Sequence, residues 1–170
     1  MDLKSLYTQI ITENSRATHN RHPVIGATNS LEGINPSCGD DITLQFKVEN
    51  DIIVDAGFIG TGCAISQASA SLMIDLIKGK SVDEAKHYID IFFGMIKGEI
   101  KEDEVIDELE DAAALQGIAF VPARVKCAVL SWHTLEEALE GKSGVSDHEA
   151  SENDDAGSSY EEDGDGLSLS

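Results

Sequence analysis

Apolar side chains repeat with two different periods along the chain, and these periods divide it into helices and strands. Over residues 2–15 an apolar residue recurs every three or four positions, which predicts an amphipathic helix. Residues 42–49 alternate between apolar and polar side chains, and a similar alternation covers residues 52–59. Because Asn50 and Asp51 between them are typical turn residues, we predict a β-hairpin.

The helical period returns after the hairpin and continues almost to residue 140. Ser81 and Glu84 form a capping-box pattern, and Pro122 suits the first turn of a helix. Four further helices are therefore predicted, over residues 65–77, 83–97, 104–115 and 123–140. The stretch between the first helix and the hairpin is predicted to be loop or extended chain. This order of elements is typical of an α+β sandwich, a small antiparallel sheet with helices packed on one face.

Charge separates a folded domain from a tail. Of the 170 residues, 32 are acidic and 12 are basic, which gives a net charge of −20. Residues 141–170 hold nine of the acidic residues and one lysine, with few large apolar side chains. Such a segment buries too little surface to offset its ordering entropy. We therefore predict a domain over residues 1–140 and an acidic disordered tail over 141–170. A second acidic stretch, residues 99–111, is expected to be an exposed connection or helix face.

Composition also limits the classes of partner that the protein can bind and the cellular compartment in which it is expected. The acidic balance argues against nucleic acid or an anionic membrane as a partner, because both require a basic surface. The first residues lack the apolar run of a signal peptide, and no stretch approaches the ~20 apolar residues of a membrane span. Three cysteines do not suit a disulfide framework. A cytoplasmic protein with reduced thiols is therefore expected.

The three cysteines lie near the ends or first turns of predicted elements. Glycine adjoins Cys38 and Cys63, and Cys127 lies one turn into the last helix. If these thiols converge, they could bind zinc, which takes four ligands in a tetrahedral array. Asp40, two residues after Cys38, can reach the same ion. The alternative is that these are ordinary small buried residues, because free cysteine is often buried. The five histidines show no metal-ligand spacing, and we expect them to be surface or packing residues.

Three separate cysteine motifs, in this order along the chain, resemble those of the SufU proteins. The motifs are Asn35-Pro36-Ser37-Cys38-Gly39-Asp40, Gly62-Cys63-Ala64-Ile65-Ser66 and Pro122-Ala123-Arg124-Val125-Lys126-Cys127-Ala128. SufU proteins are IscU-like partners of cysteine desulfurases in bacterial iron–sulfur cluster assembly. The resemblance covers residues 1–140 and implies the IscU-like α+β fold. It also implies a bound Zn²⁺ whose ligands are Cys38, Asp40, Cys63 and Cys127.

The resemblance further implies a zinc-dependent sulfurtransferase. Its partner is a SufS-like cysteine desulfurase that uses pyridoxal phosphate to form a persulfide, and the sulfur then passes to downstream iron–sulfur assembly proteins. In this family a histidine of the desulfurase replaces the acceptor cysteine on zinc. By motif the catalytic acceptor is Cys38. Arg124 is implied as a residue that helps to dock the desulfurase, although it could equally be a solvated helix residue.

Two other functions remain open at the level of sequence. The first is a scaffold on which a [2Fe–2S] cluster is assembled, since three thiolates and a carboxylate can ligate such a cluster. Lys126 weighs against it, because scaffold relatives carry histidine at that position, and residues 120–124 lack their proline-rich chaperone motif. The second is a structural zinc module. One departure from SufU is the stretch 24–28, which is usually basic in the family.

Overall fold

A computed structural model describes residues 2–141 and 144–145. Its helices are α1 Leu3–Arg16, α2 Ala64–Ile77, α3 Val82–Lys97, α4 Glu102–Leu109 and α5 Pro122–Leu139, with a 3₁₀ segment at Glu110–Phe120. Its strands are β1 Asn29–Asn35, β2 Asp40–Glu49, β3 Ile52–Thr61 and β4 Gly144–Val145. The predicted hairpin and the predicted helices lie within one or two residues of observed elements, except for the helix predicted over 104–115. Most of the predicted tail lies outside the described residues.

The sheet has the strand order β3-β2-β1-β4. Strands β1, β2 and β3 are antiparallel, as expected, whereas the two-residue β4 pairs parallel with β1. Asn50 and Asp51 both have positive φ, at 52° and 68°, as the tight turn between β2 and β3 requires. β1 replaces part of the stretch predicted to be loop or extended chain. Its buried positions include Gly33 and Asn35, so an alternating apolar pattern is weak there.

Helices cover one face of the sheet, which confirms the predicted α+β fold. The buried positions of β2 and β3 contribute large apolar side chains that pack beneath α2 and α5. Trp132 of α5 is fully buried and stacks on Phe92 of α3, with ring centroids 4.0 Å apart and planes 5° from parallel. Burial of aromatic and aliphatic side chains on this scale is the main stabilising contribution to such a core.

Helix α5 is fixed closely against both β1 and α2. A Cβ atom at Gly33 would overlap Thr134 Oγ1, so only glycine lets the strand and the helix approach this closely. Ser69 Oγ of α2 donates a hydrogen bond to the Ala128 carbonyl at 2.5 Å, and Trp132 Nε1 donates to Ser69 Oγ at 2.9 Å. These buried bonds set the position of the first turns of α5 relative to α2.

The acidic stretch near residue 105 forms an exposed helix face. In α4 the side chains of Val105 and Leu109 are buried, while the carboxylates around them face solvent. The helix predicted over 104–115 does not continue as one element. Glu110, with φ of 53°, ends α4, and the chain proceeds as the 3₁₀ segment. Within the part of the chain that the structure describes, no helix is both long and apolar enough to cross a bilayer.

Candidate metal centre

Cys38 lies in the loop that joins β1 to β2. The loop is closed by two backbone hydrogen bonds, from Cys38 N–H to the Asn35 carbonyl and from Gly39 N–H to the Pro36 carbonyl, both at 3.3 Å. Gly39 has a φ of 71°, a conformation that glycine adopts without strain. The Cys38 side chain is only partly buried, so this thiol is reachable from solvent.

Cys63 is the N-cap residue of α2. Its Sγ accepts a hydrogen bond from the Ser66 N–H at 3.5 Å, which satisfies one free donor of the first helical turn. The preceding residue is Gly62, where a Cβ atom would overlap Ser66 Oγ and crowd the carboxylate of Asp40. The glycine therefore lets the end of β3 and the start of α2 pass close to Asp40.

Cys127 lies in the second turn of α5 and is fully buried. Pro122 occupies the first position of this helix, where its missing N–H costs nothing. Burial raises the pKa of the Cys127 thiol far above its ordinary value, and the contact with Cys38 and the charge of Asp40 act in the same direction. Without a metal ion at the site, this thiol therefore keeps its proton at neutral pH.

The structure brings three of the four predicted ligands into one cluster. The ligand atoms of Cys38, Asp40 and Cys127 all lie within 4.8 Å of one another. The two sulfur atoms of this cluster are 2.8 Å apart. Cys63 lies beside the cluster: its backbone N–H donates to Asp40 Oδ1 at 2.8 Å, and its thiol also contributes to the raised pKa of Cys127. Three potential ligands from two chain segments thus form the cluster, and a third segment places Cys63 beside it.

The Asp40 carboxylate is buried and oriented by three donors. Oδ1 accepts hydrogen bonds from the Cys63 N–H at 2.8 Å and from Ser66 Oγ at 3.0 Å. Oδ2 accepts a single, longer one from Asn35 Nδ2 at 3.4 Å. Oδ1 is therefore occupied by the protein, and Oδ2 is the oxygen with capacity left for a cation.

This donor set fits zinc. Two thiolate sulfurs on a tetrahedral zinc, with Zn–S bonds of ~2.3 Å, are roughly 3.8 Å apart. The three ligand atoms are close enough to surround one ion, and the Cys38 and Cys127 sulfurs, now 2.8 Å apart, would separate by about 1 Å to do so. Thiolate and carboxylate are both ligand types that zinc accepts.

Arg124 lies at the solvent side of the cluster. Its Nη1 is 4.0 Å from Cys38 Sγ, and its guanidinium is exposed. A hydrogen bond with Cys127, followed by the charges of the cysteines, raises the pKa of Arg124 further. Phe120 and Val121, immediately before α5, are also exposed. A cation therefore lies beside the Cys38 thiol, and two exposed apolar residues precede the helix that carries this cation.

Sequence reasoning missed two residues of the site, Asn35 and Ser66. Both are buried polar residues that hydrogen-bond to Asp40. Asn35 also donates from Nδ2 to Cys127 Sγ at 3.8 Å. The sequence signal that could have identified them is their location inside the cysteine motifs, where both are polar residues at positions that the fold buries. His133, by contrast, packs against Phe93 and is not part of the cluster.

Comparison with known proteins agrees with this fold. The model of the NifU-like N terminal domain matches residues 7–144. The zinc-dependent sulfurtransferase SufU of Bacillus subtilis (strain 168) is 41% identical over 143 residues, which is 84% of this chain and 95% of the relative. The iron–sulfur cluster assembly scaffold protein IscU of Streptococcus pyogenes serotype M1 is 39% identical over 138 residues, 81% of this chain and 85% of the relative.

A solved structure shares the same architecture. It is a candidate iron–sulfur cluster assembly scaffold protein for the SUF system from Fervidobacterium islandicum AW-1. The two structures align with a TM-score of 0.70 at 36% sequence identity, over 81% of this chain and 99% of that one. With the domain model and two full-length relatives in agreement, the chain belongs to the SufU/IscU-like family, whose shared unit is the NifU-like N-terminal domain.

Proposed function

We propose that this protein is a zinc-dependent sulfurtransferase. It accepts sulfur from the persulfide of a pyridoxal-phosphate-dependent, SufS-like cysteine desulfurase and passes it to iron–sulfur cluster assembly proteins in the cytoplasm. One observation carries the proposal: a solvent-reachable cysteine on a glycine-containing loop adjoins a buried thiol and a buried carboxylate. Similarity to a relative named as a zinc-dependent sulfurtransferase supports it.

The residues that would hold zinc are Cys38, Asp40, Cys63 and Cys127. When bound, zinc supplies a positive charge that keeps the ligating thiols deprotonated at neutral pH. Asp40 contributes through Oδ2, because Cys63 N–H and Ser66 Oγ occupy Oδ1. The buried Cys127, whose pKa is raised in the metal-free site, is the thiol that depends most on this charge.

Sulfur transfer requires one exchange of S–S bonds. The Cys38 thiolate attacks the outer sulfur of the desulfurase persulfide. A bond forms between Cys38 Sγ and that sulfur, the S–S bond of the desulfurase breaks, and the desulfurase cysteine leaves as a thiolate. The proton of the persulfide stays with the transferred sulfur, so atoms and charge balance without another reactant.

The positions of the three thiols favour Cys38 as the acceptor. Its loop is joined to the strands by a turn with two hydrogen bonds of 3.3 Å. Cys63 caps α2, and Cys127 is fixed in α5 by the hydrogen bonds between Ser69, Trp132 and Ala128. Moving either of the latter two would disturb a helix, whereas moving Cys38 changes only the loop.

The proposal is tested by desulfurase turnover in the presence of this protein. We expect the zinc-loaded protein to raise turnover of its cognate desulfurase by at least about tenfold, because an acceptor removes the persulfide that otherwise limits the cycle. Protein stripped with a chelator should raise it far less, and zinc should restore the effect. Equal turnover with and without the protein would exclude a sulfur acceptor.

Arg124 is proposed to contact the desulfurase. Arg124→Ala is expected to raise, by about tenfold at low salt, the concentration of this protein that gives half-maximal stimulation of the desulfurase. The reason is that charges at the rim of an interface act mainly on the rate of association. Zinc content should stay unchanged. Arg16→Ala removes an exposed arginine at the end of α1 and serves as the matched control. If both variants behave alike, Arg124 has no specific contact.

A scaffold for a [2Fe–2S] cluster is the second candidate. The observation that favours it is similarity to relatives described as assembly scaffolds. Three thiolates and a carboxylate also suit iron–sulfur ligation. The two candidates differ in the metal content of the purified protein. A colourless protein with one zinc supports the sulfurtransferase, and a brown protein with iron and acid-labile sulfide supports the scaffold.

A further inference from the structure

Asn35 links the Cys38 loop to the two buried ligands of the site. It ends β1 and is 5% exposed. Its Nδ2 lies 3.4 Å from Asp40 Oδ2 and 3.8 Å from Cys127 Sγ, so one amide group donates toward both ligands. Its Oδ1 accepts a hydrogen bond from Ser37 Oγ at 2.8 Å. Each end of this side chain therefore has a different partner.

The two neighbouring thiols differ in their polar surroundings. Cys127 Sγ receives a buried amide donor from Asn35 in addition to its contact with the exposed guanidinium of Arg124, whereas Cys38 Sγ faces that guanidinium without a buried amide donor among its described contacts. A hydrogen bond to a thiolate stabilises its charge, and the stabilised sulfur is a weaker nucleophile. A buried donor keeps this effect, while solvent screens an exposed one.

We propose that Asn35 is a positioning residue that retains Asp40 and Cys127 as a fixed pair of ligands and so leaves Cys38 as the thiol that reacts. This inference rests on the proposed function, because it explains which cysteine takes up the sulfur. Asn35 stays in place when Cys38 moves, since its backbone belongs to β1 and pairs with β2 at Asp40. The Cys38 loop can then move while Asp40 and Cys127 keep their amide donor.

The test compares Asn35→Ala with Asn20→Ala in the zinc-loaded full chain. Asn20 is a matched control: it is fully buried and donates from Nδ2 to the Ser71 carbonyl and to Asp75, but contacts none of the ligands. Zinc affinity is measured by competition with a chromogenic chelator. Limited alkylation with iodoacetamide, followed by peptide mass mapping, gives the relative rates at the three cysteines. The Co²⁺-substituted protein reports ligand geometry through its visible spectrum.

In the wild type we expect Cys38 to be alkylated well before Cys127. Asn35→Ala should lower zinc affinity by about 10–100-fold, as loss of an outer-shell partner does. It should also move alkylation toward Cys127 and alter the Co²⁺ spectrum. Asn20→Ala should lower stability but leave all three readouts as in the wild type. Asn35→Ser, whose hydroxyl is too short to reach both ligands, keeps the test available if the alanine variant does not fold.

The inference is overturned if Asn35→Ala keeps the wild-type order of alkylation and the wild-type Co²⁺ spectrum, or if Asn20→Ala changes both equally. The assay contains no desulfurase. A failure of the sulfurtransferase proposal would therefore appear as absent stimulation of turnover, while the alkylation order would still report on Asn35.

Discussion

Cys38→Ala should abolish sulfur uptake by this protein while its fold stays intact. With the nucleophile gone, transfer from a persulfide-loaded desulfurase is expected to fall by at least about 100-fold. Cys38 is partly exposed on a loop, so the free energy of unfolding of the metal-free protein should change by less than ~1 kcal/mol. Intact-mass spectrometry measures the gain of one sulfur atom, and urea unfolding measures the stability.

The control for this variant is Ser37→Ala, on the same loop. It removes the hydrogen bond to Asn35 Oδ1 and leaves the thiol in place. It should take up sulfur at close to the wild-type rate under saturating zinc. If Cys38→Ala gains sulfur as fast as Ser37→Ala, another cysteine is the acceptor. Should the loss of Cys38 lower only stability, the site is a structural zinc module.

Two substitutions of Asp40 should distinguish the structural role of its Oδ1 from the metal-binding role of its Oδ2. Asp40→Asn can keep an acceptor for the Cys63 N–H and Ser66 Oγ but lacks the charged oxygen available to a metal. Zinc affinity is expected to fall by at least about 100-fold, the upper end of the loss seen for an outer-shell partner. The metal-free protein should lose about 1 kcal/mol of stability, the scale of one hydrogen bond.

Asp40→Ala removes both functions of the carboxylate. It leaves the buried donors of Cys63 and Ser66 without an acceptor, and each such group costs ~1–3 kcal/mol. We therefore expect a loss of about 2–4 kcal/mol in the unfolding free energy of the zinc-free protein, with zinc affinity as low as in Asp40→Asn. Urea unfolding and chelator competition give the two quantities. Equal stabilities of the two variants would show that Oδ1 has no structural role.

Most of the fold could be predicted from sequence because most elements carry a periodic pattern. In β2, buried Ile42, Leu44 and Phe46 alternate with polar residues, so the strand is visible from the chain alone. Strand β1 could not be recognised from the sequence in this way, because two of its buried positions are Gly33 and Asn35. Both identities are set by tertiary contacts, with Thr134 of α5 and with the ligand cluster, and these are absent from any local window.

The candidate site could be predicted only as a set of residues. Motif order suggested Cys38, Asp40, Cys63 and Cys127, but nothing local shows that three distant segments meet. Their meeting depends on how closely α5 approaches the sheet, which the absence of a side chain at Gly33 permits. One oxygen of Asp40 is occupied and the other is available because Cys63 N–H and Ser66 Oγ both donate to Oδ1. These contacts exist only in the folded protein.

The buried carboxylate of Asp40 has a consequence for which sulfur donors the proposed site can accept. With Zn²⁺ held by three thiolates and this carboxylate, as proposed, the site would carry two negative charges, and the chain as a whole carries −20. Much of the sulfide dissolved in neutral water is the HS⁻ anion, which such a field repels. For the zinc-loaded protein we therefore expect poor uptake of inorganic sulfide and efficient uptake of sulfur from a donor protein docked at the site.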